Sequence, residues 1–235
     1  MATLQDEVII NGMRLRNRIA MPPLTTNYGT PEGIVTEDII QFYTERSNDV
    51  GLVIVEACAV RDDGRILRGS LGLWEDRQVP GMARLAAAIK KLGAAAVVQI
   101  SHAGARCYPA GGEMQGASPS GFVFRPDVEP ISLSPEQIDQ MVADFAAAAG
   151  RAAEAGFDGV EIHGAHFYLI SQFLSPLTNQ RNDRYGGDAR ARATFALEVV
   201  RSVRERLGRS YPILFRLKAV EKLEGGQTLE DAVAL

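Results

Sequence analysis

Two of the three histidines in this chain of 235 residues stand three residues apart, at His163 and His166, and Tyr168 follows two residues later. Imidazole groups bind metal ions, exchange protons and donate hydrogen bonds, so this spacing admits more than one chemistry. With His102, the pair would form a zinc site of three nitrogen ligands. As paired donors, the two imidazole N–H groups would stabilise negative charge on one substrate oxygen, while Tyr168 supplied a proton. As structural histidines, they would only be hydrogen-bonded parts of the core or of a loop.

The elements that must position these residues follow a repeating order of apolar strand, loop marked by Gly or Pro, and helix rich in Ala and Leu. The strands are continuous apolar runs, which is typical of strands that are buried on both faces. Five strands are predicted, at residues 18–24, 50–60, 93–101, 156–164 and 211–219. Helices are predicted at residues 79–92, 134–154 and 191–207, and Thr228 is expected to cap the start of a last helix. The spacing of His163 and His166 predicts that both lie on one face of a helical turn.

Alternating strands and helices predict parallel βαβ units, which build either a doubly wound sheet or a (β/α)8 barrel. No predicted strand is followed by the G-x-G-x-x-G spacing of a dinucleotide-binding sheet. Polar side chains instead stand at the carboxyl ends of several strands, at Thr25, Cys58, Gln99, His102, His163, His166 and Arg216. Several strands that contribute to one site indicate a barrel. The predicted fold class is therefore α/β, a TIM (β/α)8 barrel.

Only five of the eight strands of such a barrel are predicted, so the expected fold is a barrel truncated after strand five. Because open sheet edges promote aggregation, we expect the chain to be a fragment, to be completed by other chains, or to pack in an unconventional way. Residues 1–235 are expected to form a single partial domain, since no linker or low-complexity segment divides them. The irregular loop at 103–133 is long enough to be an active-site cover.

Composition narrows the class of protein. Hydrophobic residues make up 46% of the chain and charged residues 23%, and the net charge is −4. Lys and Arg are scattered rather than clustered, which argues against nucleic-acid and membrane partners. The N-terminus lacks the features of a signal peptide, and the two cysteines form no C-x-x-C motif or disulfide framework. The expected location is cytoplasmic.

The segment EIHGAHFYLISQFLSPLTNQRNDRYGGD, residues 161–188, resembles the central signature of the old yellow enzyme family of flavin-dependent ene-reductases. Four other stretches match the family in the same order along the chain: LRNRIAMPPLTTNYG, VGLVIVEACAV, VVQISHAGAR and EGGQTLEDAV. The resemblance, which extends to the 2,4-dienoyl-CoA reductase type, implies a TIM barrel that binds FMN non-covalently. It further implies hydride transfer from NADH or NADPH, through the flavin, to an activated C=C bond of an enone, a nitroalkene or an enoyl thioester.

The resemblance also implies a role for each matching residue near the substrate. His163 and His166 would hydrogen-bond the substrate oxygen and polarise the alkene. Tyr168 would donate the proton to the α-carbon, and Tyr28 or Asn27 would contact the substrate.

For the flavin, the resemblance implies that Arg216 stabilises the anionic reduced ring and that Gln99 hydrogen-bonds its pyrimidine edge. The remaining flavin-lining positions would be Pro22, Pro23, Leu24, Thr25 and Ala57. Lys218 departs from the family pattern, in which a serine is usual at this position.

In this family the FMN phosphate is held by loops after strands seven and eight, which lie beyond the five predicted strands. We therefore expect weak or no FMN binding by this chain alone. The expected partners are a small activated alkene and either a second copy of the chain or a complementary barrel fragment. Two alternatives stay open: a tri-histidine zinc enzyme on a barrel, and an inactive fragment that needs a complementary chain.

Overall fold

The computed structural model describes residues 2–108, 115–116 and 130–235. Its strands are β1 (Val8–Ile10), β2 (Met13–Leu15), β3 (Ala20–Met21), β4 (Leu52–Ala59), β5 (Ala95–Ser101), β6 (Gln115–Gly116), β7 (Ile131–Ser132), β8 (Gly159–Gly164) and β9 (Ile213–Leu217). A parallel five-stranded sheet has the order β3-β4-β5-β8-β9 and curls into a half-barrel. Two smaller sheets are the antiparallel hairpin β1-β2 and the parallel pair β6-β7.

Seven helices are described, and most begin at a side chain that caps them. They are α1 (Glu37–Ser47), α2 (Val79–Lys91), α3 (Pro135–Glu154), α4 (Leu169–Leu174), α5 (Ala189–Arg192), α6 (Thr194–Leu207) and α7 (Leu229–Ala234). Ser134 caps α3 in a full capping box with Gln137, and Thr228 caps α7 in the same way with Asp231. Among the described residues, no helix has both the length and the apolar character needed to span a bilayer.

Two hydrophobic cores lie on opposite faces of the sheet. The outer face packs against the helices and includes Val55 and Val98 of the central strands together with Phe145 of α3. The inner face packs Ile54 and Val97 against residues of the β1-β2 hairpin. Because strand side chains alternate between faces, this division explains why β4, β5 and β8 are buried throughout their lengths.

The five predicted strands are all present in the predicted order, and a truncated TIM barrel is confirmed as the fold class. The first strand ends at Met21, in agreement with the prediction that Pro22 and Pro23, which lack N–H groups, stop it, and it begins at Ala20 rather than at Arg18. The predicted helix at 191–207 is split: Asp188 caps α5, and α6 begins at Thr194. The β1-β2 hairpin and α1 were not predicted, and most of the loop predicted at 103–133 lies outside the described residues.

Candidate active site

The carboxyl ends of β5, β8 and β9 bring three of the predicted site residues to one edge of the sheet. Gln99 is the register partner of Glu161, and His163 is the register partner of Arg216. Register partners on neighbouring parallel strands point to the same face of a sheet, and Glu161 and His163 share a face because they are two residues apart. These four side chains therefore line one end of the inner face.

The turn after β8 presents His166 in a backbone conformation that the sequence did not predict. His166 has φ 59° and Phe167 has φ 55°, so two consecutive non-glycine residues are left-handed. Each such residue costs on the order of 1 kcal/mol or more and persists only where its surroundings enforce it. The helix α4 begins only at Leu169. The prediction that both histidines lie on a helical turn is therefore wrong, and a left-handed turn brings them together instead.

Hydrogen bonds from neighbouring elements hold this turn. Arg106 Nη1 donates to the carbonyl oxygen of His166 at 2.6 Å, and Gln172 Nε2 donates to that of Phe167 at 2.7 Å. The backbone N–H of Tyr168 donates to the carbonyl oxygen of Ala165 at 3.1 Å. Sequence analysis did not identify Arg106 or Gln172 as site residues; the only sequence signal was that each lies within a stretch that resembles the family.

The two imidazoles form a directional chain. The backbone N–H of Ala165 donates to His163 Nδ1 at 3.2 Å, so neutral His163 carries its proton on Nε2. That nitrogen lies 3.2 Å from Nδ1 of His166, which accepts the proton's hydrogen bond. The two rings meet edge to face, with centroids 5.0 Å apart. The nitrogens are thus close enough for a single oxygen atom to contact both.

Burial and nearby positive charge keep both imidazoles neutral. Burial, with smaller contributions from His166 and Arg216, lowers the pKa of His163 to about 3. Burial also lowers the pKa of His166, and the charges of Arg216, Arg106 and Lys218 act in the same direction. Near pH 7 the pair therefore offers N–H donors without a net positive charge.

Tyr168 lies beside both histidines, at the N-terminus of α4. Its ring centroid is 5.0 Å from that of His163 and 6.2 Å from that of His166. Burial raises the pKa of Tyr168 above its ordinary value, although the guanidinium of Arg106, 5.4 Å from the ring centroid, opposes this shift. The phenol therefore keeps its proton at neutral pH and is able to donate it.

The inner face also carries a buried polar pair and a half-buried cation. Gln99 Nε2 donates to Glu161 Oε1 at 2.6 Å, and burial raises the pKa of Glu161. Within the described part of the chain, Arg216 forms no hydrogen bond or ion pair, although its charge acts on Glu161, His163 and His166. A half-buried guanidinium without a carboxylate partner suits an anionic ligand.

The segment after β3 is anchored by a carboxyl group that sequence analysis did not identify. Glu56 is fully buried, and its Oε2 accepts hydrogen bonds from the backbone N–H and the hydroxyl of Thr26 at 3.2 and 2.7 Å. The hydroxyl of Tyr43 accepts the backbone N–H of Glu56 at 2.7 Å. Glu56 and Ala57 lie in a register shift of β4, a feature that commonly redirects side chains beside active sites.

The predicted flavin-lining residues of this segment are partly open to solvent. Leu24 is 63% exposed, Pro22 is exposed, and Pro23 and Thr25 are half-buried. Tyr28 packs edge-on against Phe42 of α1, with ring centroids 6.3 Å apart, so the structure places it against that helix.

His102 belongs to a separate structural network. It is buried, its Nδ1 accepts the backbone N–H of Gly104 at 3.0 Å, and its Nε2 lies 3.3 Å from Asp63 Oδ1. Burial opposes the shift, but hydrogen bonds from His102 and Arg61 hold the pKa of Asp63 well below its usual range. Across residues 2–108, 115–116 and 130–235, no group of three His, Cys, Asp or Glu side chains is placed to hold a metal ion. The tri-histidine zinc site is therefore not assembled by these residues.

Comparison with known proteins places this arrangement in a family. A profile of the NADH:flavin oxidoreductase / NADH oxidase family matches residues 8–235. The chain belongs to this family. The resemblance to old yellow enzymes is thereby confirmed, and FMN with NADH or NADPH as reductant are the cofactors of this oxidoreductase family.

Relatives within the NADH:flavin oxidoreductase family are longer than this chain. A metal reductase of Desulforamulus reducens is 44% identical over 99% of this chain and 35% of its own length. An NADH:acrylate oxidoreductase of Vibrio harveyi is 39% identical over 100% of this chain and 24% of its own length. The solved structure of an old yellow enzyme from Pichia sp. AKU4542 has a TM-score of 0.89 at 28% identity, with 98% of this chain and 64% of that one covered. The chain thus spans about a quarter to a third of the length of the metal reductase and the acrylate oxidoreductase.

The residues present fit the ring of FMN. Arg216 supplies an unpaired positive charge at the inner face, and the amide of Gln99 lies two strands away on the same face. The exposed side chains of Pro22 and Leu24 offer an apolar surface at the same end of the sheet. A ring that becomes anionic on reduction matches this combination of one cation, polar edge groups and apolar surface.

Proposed function

We propose that this chain carries the substrate and flavin-ring site of an FMN-dependent oxidoreductase that reduces activated C=C bonds. The observation that supports this most directly is the cluster of His163, His166 and Tyr168, two neutral donors and a protonated phenol within one site. The acrylate oxidoreductase named above acts, by its name, on an activated alkene with NADH as reductant, which supports the same reaction class here.

In this proposal the two histidines bind the oxygen of the electron-withdrawing group. Their facing nitrogens are 3.2 Å apart, so an oxygen can approach both at ordinary hydrogen-bond distance. His163 already carries its proton on Nε2, and His166 takes the tautomer with the proton on Nδ1 once its hydrogen bond to His163 is replaced. The two N–H groups then stabilise the negative charge that develops on that oxygen when hydride reaches the β-carbon.

Tyr168 donates its proton to the α-carbon in the same proposal. Its raised pKa keeps the phenol protonated at neutral pH, and its ring lies against His163, beside the bound alkene. When bound, FMN would supply the hydride for the β-carbon, with NADH or NADPH as the source of that hydride. Arg216 and Gln99 would orient the flavin ring, and Arg216 would balance the charge of its reduced form.

The partners proposed for the chain are a small activated alkene and a polypeptide that completes the half-barrel, either a second copy or a complementary fragment. The open edge at β9 supports this, since Phe215 and Leu217 are 37% and 39% exposed there. An uncovered apolar strand at a sheet edge favours pairing with another strand.

The test is anaerobic turnover of 2-cyclohexenone by the FMN-loaded protein with NADH and, separately, NADPH, with cyclohexanone as the matched saturated control. The proposal predicts nicotinamide oxidation and formation of cyclohexanone in equal amounts, and no oxidation with the control. The proposed substrate class would be wrong if the flavin-loaded protein oxidised the nicotinamide in the presence of oxygen but did not oxidise it anaerobically with the enone.

A further inference from the structure

Lys218 lies where the strained turn of β8 meets the end of β9. Its Nζ stands 3.0 Å from the centroid of the Phe167 ring, and Phe167 is the second of the two left-handed residues. An ammonium over an aromatic face is attracted by the ring, more strongly where solvent is excluded. The Nζ atom has essentially no exposed surface. Lys218 therefore acts on the turn rather than directly on a bound substrate.

A buried carboxylate fixes the ammonium in this position. Glu221 Oε1 lies 2.7 Å from Lys218 Nζ, and the side chain of Glu221 is 1% exposed. The other oxygen of Glu221 accepts hydrogen bonds from Ser175 Oγ at 2.7 Å and from the backbone N–H of Gln227 at 2.9 Å. Gln227 in turn donates to the carbonyl oxygen of Lys218 at 2.7 Å. Lys218 and Glu221 therefore form a buried ion pair, and the carboxylate of Glu221 is also held by Ser175 and Gln227.

We infer that Lys218 is a positioning residue for His166: anchored by Glu221, its ammonium clamps the Phe167 ring and so holds the left-handed turn that presents His166 to His163. This rests on the proposed function only in giving His166 a substrate to bind. Arg106 and Gln172 hold the carbonyl oxygens of the same turn, whereas Lys218, which directly follows β9, contacts the ring of Phe167.

The experiment is nitrogen-15 NMR of the histidine-labelled full chain, in which only three imidazoles contribute. Wild-type protein should show His166 Nδ1 as an unprotonated acceptor of a hydrogen bond from His163. The variant Lys218→Met with Glu221→Gln removes both charges together, so no lone buried carboxylate is left to unfold the protein. In this variant His166 should show a mixture of tautomers, while the signals of His102 stay unchanged. Lys218→Arg should keep the wild-type signals, since a guanidinium also stacks on an aromatic ring.

Two further variants keep the inference falsifiable. Phe167→Leu leaves the ion pair in place and should produce the same mixture of His166 tautomers, even if the double variant fails to fold. Lys222→Met removes an exposed lysine from the same loop and should change nothing. In the FMN-loaded protein, kcat/KM for the enone should fall between about 10- and 100-fold in the Phe167 and double variants, with FMN affinity kept.

The result that would overturn the inference is a folded Phe167→Leu or double variant whose His166 signals equal those of the wild type. The NMR signals do not depend on turnover. A protein that reduces no alkene would therefore count against the proposed function while still reporting whether Lys218 positions His166.

Discussion

The backbone of His166 is strained, and this conformation places its Nδ1 atom 3.2 Å from Nε2 of His163. Strained residues of this kind are found where a binding geometry must be fixed before the ligand arrives. The low pKa of His163 fixes its charge in the same way. The imidazole stays neutral near pH 7 and does not repel the nearby guanidinium of Arg216. In the proposed function, the geometry and the neutral charge of the pair are therefore set before a substrate binds, and only the tautomer of His166 changes.

The role of the histidine pair predicts the effect of removing one donor. His163→Ala should lower kcat for enone reduction by about 10²–10³-fold, the usual effect of losing one donor to a developing oxyanion. FMN binding should be unaffected, and steady-state kinetics with flavin titration measures both.

The third histidine supplies the control. His102→Gln removes hydrogen bonds to Gly104 and Asp63 and should lower the free energy of unfolding by about 1–3 kcal/mol, with kcat of the folded protein kept. Equal kcat losses in the two variants would mean that His163 contributes only to structure.

At the scale of elements, the sequence predicts what is local and periodic. The five strands and the capped starts of α3 and α7 follow from apolar runs and from Ser134 and Thr228. The left-handed turn at His166 was not predictable in this way, because Arg106, which donates to the carbonyl oxygen of His166, lies far from the turn in sequence. The sequence thus predicted that Gln99, His163 and Arg216 lie at the ends of neighbouring strands, while the backbone geometry of the turn required the tertiary structure.

The register shift of β4 also contains a buried acid, Glu56, which the composition did not reveal. Burial raises the pKa of Glu56 to about 7, although the hydrogen bonds from Thr26 act to lower it. When the pKa of a carboxyl group is higher in the folded state, the group is protonated mainly in the folded state at pH values between its unfolded and folded pKa. The stability it contributes is present below about pH 4.5 and is lost as the pH rises through about 7.

Glu56→Gln should therefore flatten the pH dependence of unfolding. The difference in unfolding free energy between variant and wild type should grow in favour of the variant by on the order of 3 kcal/mol from pH 4.5 to 7. Urea titrations at a series of pH values measure it, and taking the difference cancels the opposite effect of His163, which loses stability as the pH falls from 6.5 towards about 3. Glu205→Gln, at an exposed carboxylate of α6, should leave the wild-type curve unchanged. A Glu56 variant that also follows the wild-type curve would mean that this acid is ionised throughout.

At the scale of the whole molecule, the chain carries five adjacent strands of a barrel and the chemistry at one end of them. The inner core beneath the site is closed by the β1-β2 hairpin, which packs on Ile54 and Val97. The opposite boundary at β9 leaves Phe215 and Leu217 partly uncovered. The residues that we propose to face the flavin ring lie on these strands, whereas the family's phosphate-binding loops after strands seven and eight are not among the described elements.

FMN should accordingly bind weakly to this chain alone and tightly once the barrel is completed. Fluorescence titration of FMN into the purified chain, alone and mixed with a polypeptide corresponding to strands six to eight of a relative, compares the two cases. Riboflavin, which lacks the phosphate, is the matched ligand: its affinity should change much less on completion than that of FMN. Stoichiometric, tight FMN binding by the monomeric 235-residue chain alone would contradict the assignment of the phosphate site to the loops after strands seven and eight.

The central claim is that Tyr168 protonates an alkene held by the histidine pair, and stopped-flow kinetics of Tyr168→Phe tests it most directly. In the anaerobic FMN-loaded protein, reduction of the flavin by NADPH should proceed at the wild-type rate. Reoxidation of the reduced flavin by 2-cyclohexenone should slow by about 10²–10⁴-fold. If the variant reoxidises its flavin with the enone as fast as the wild type does, Tyr168 is not the proton donor and the proposed mechanism fails.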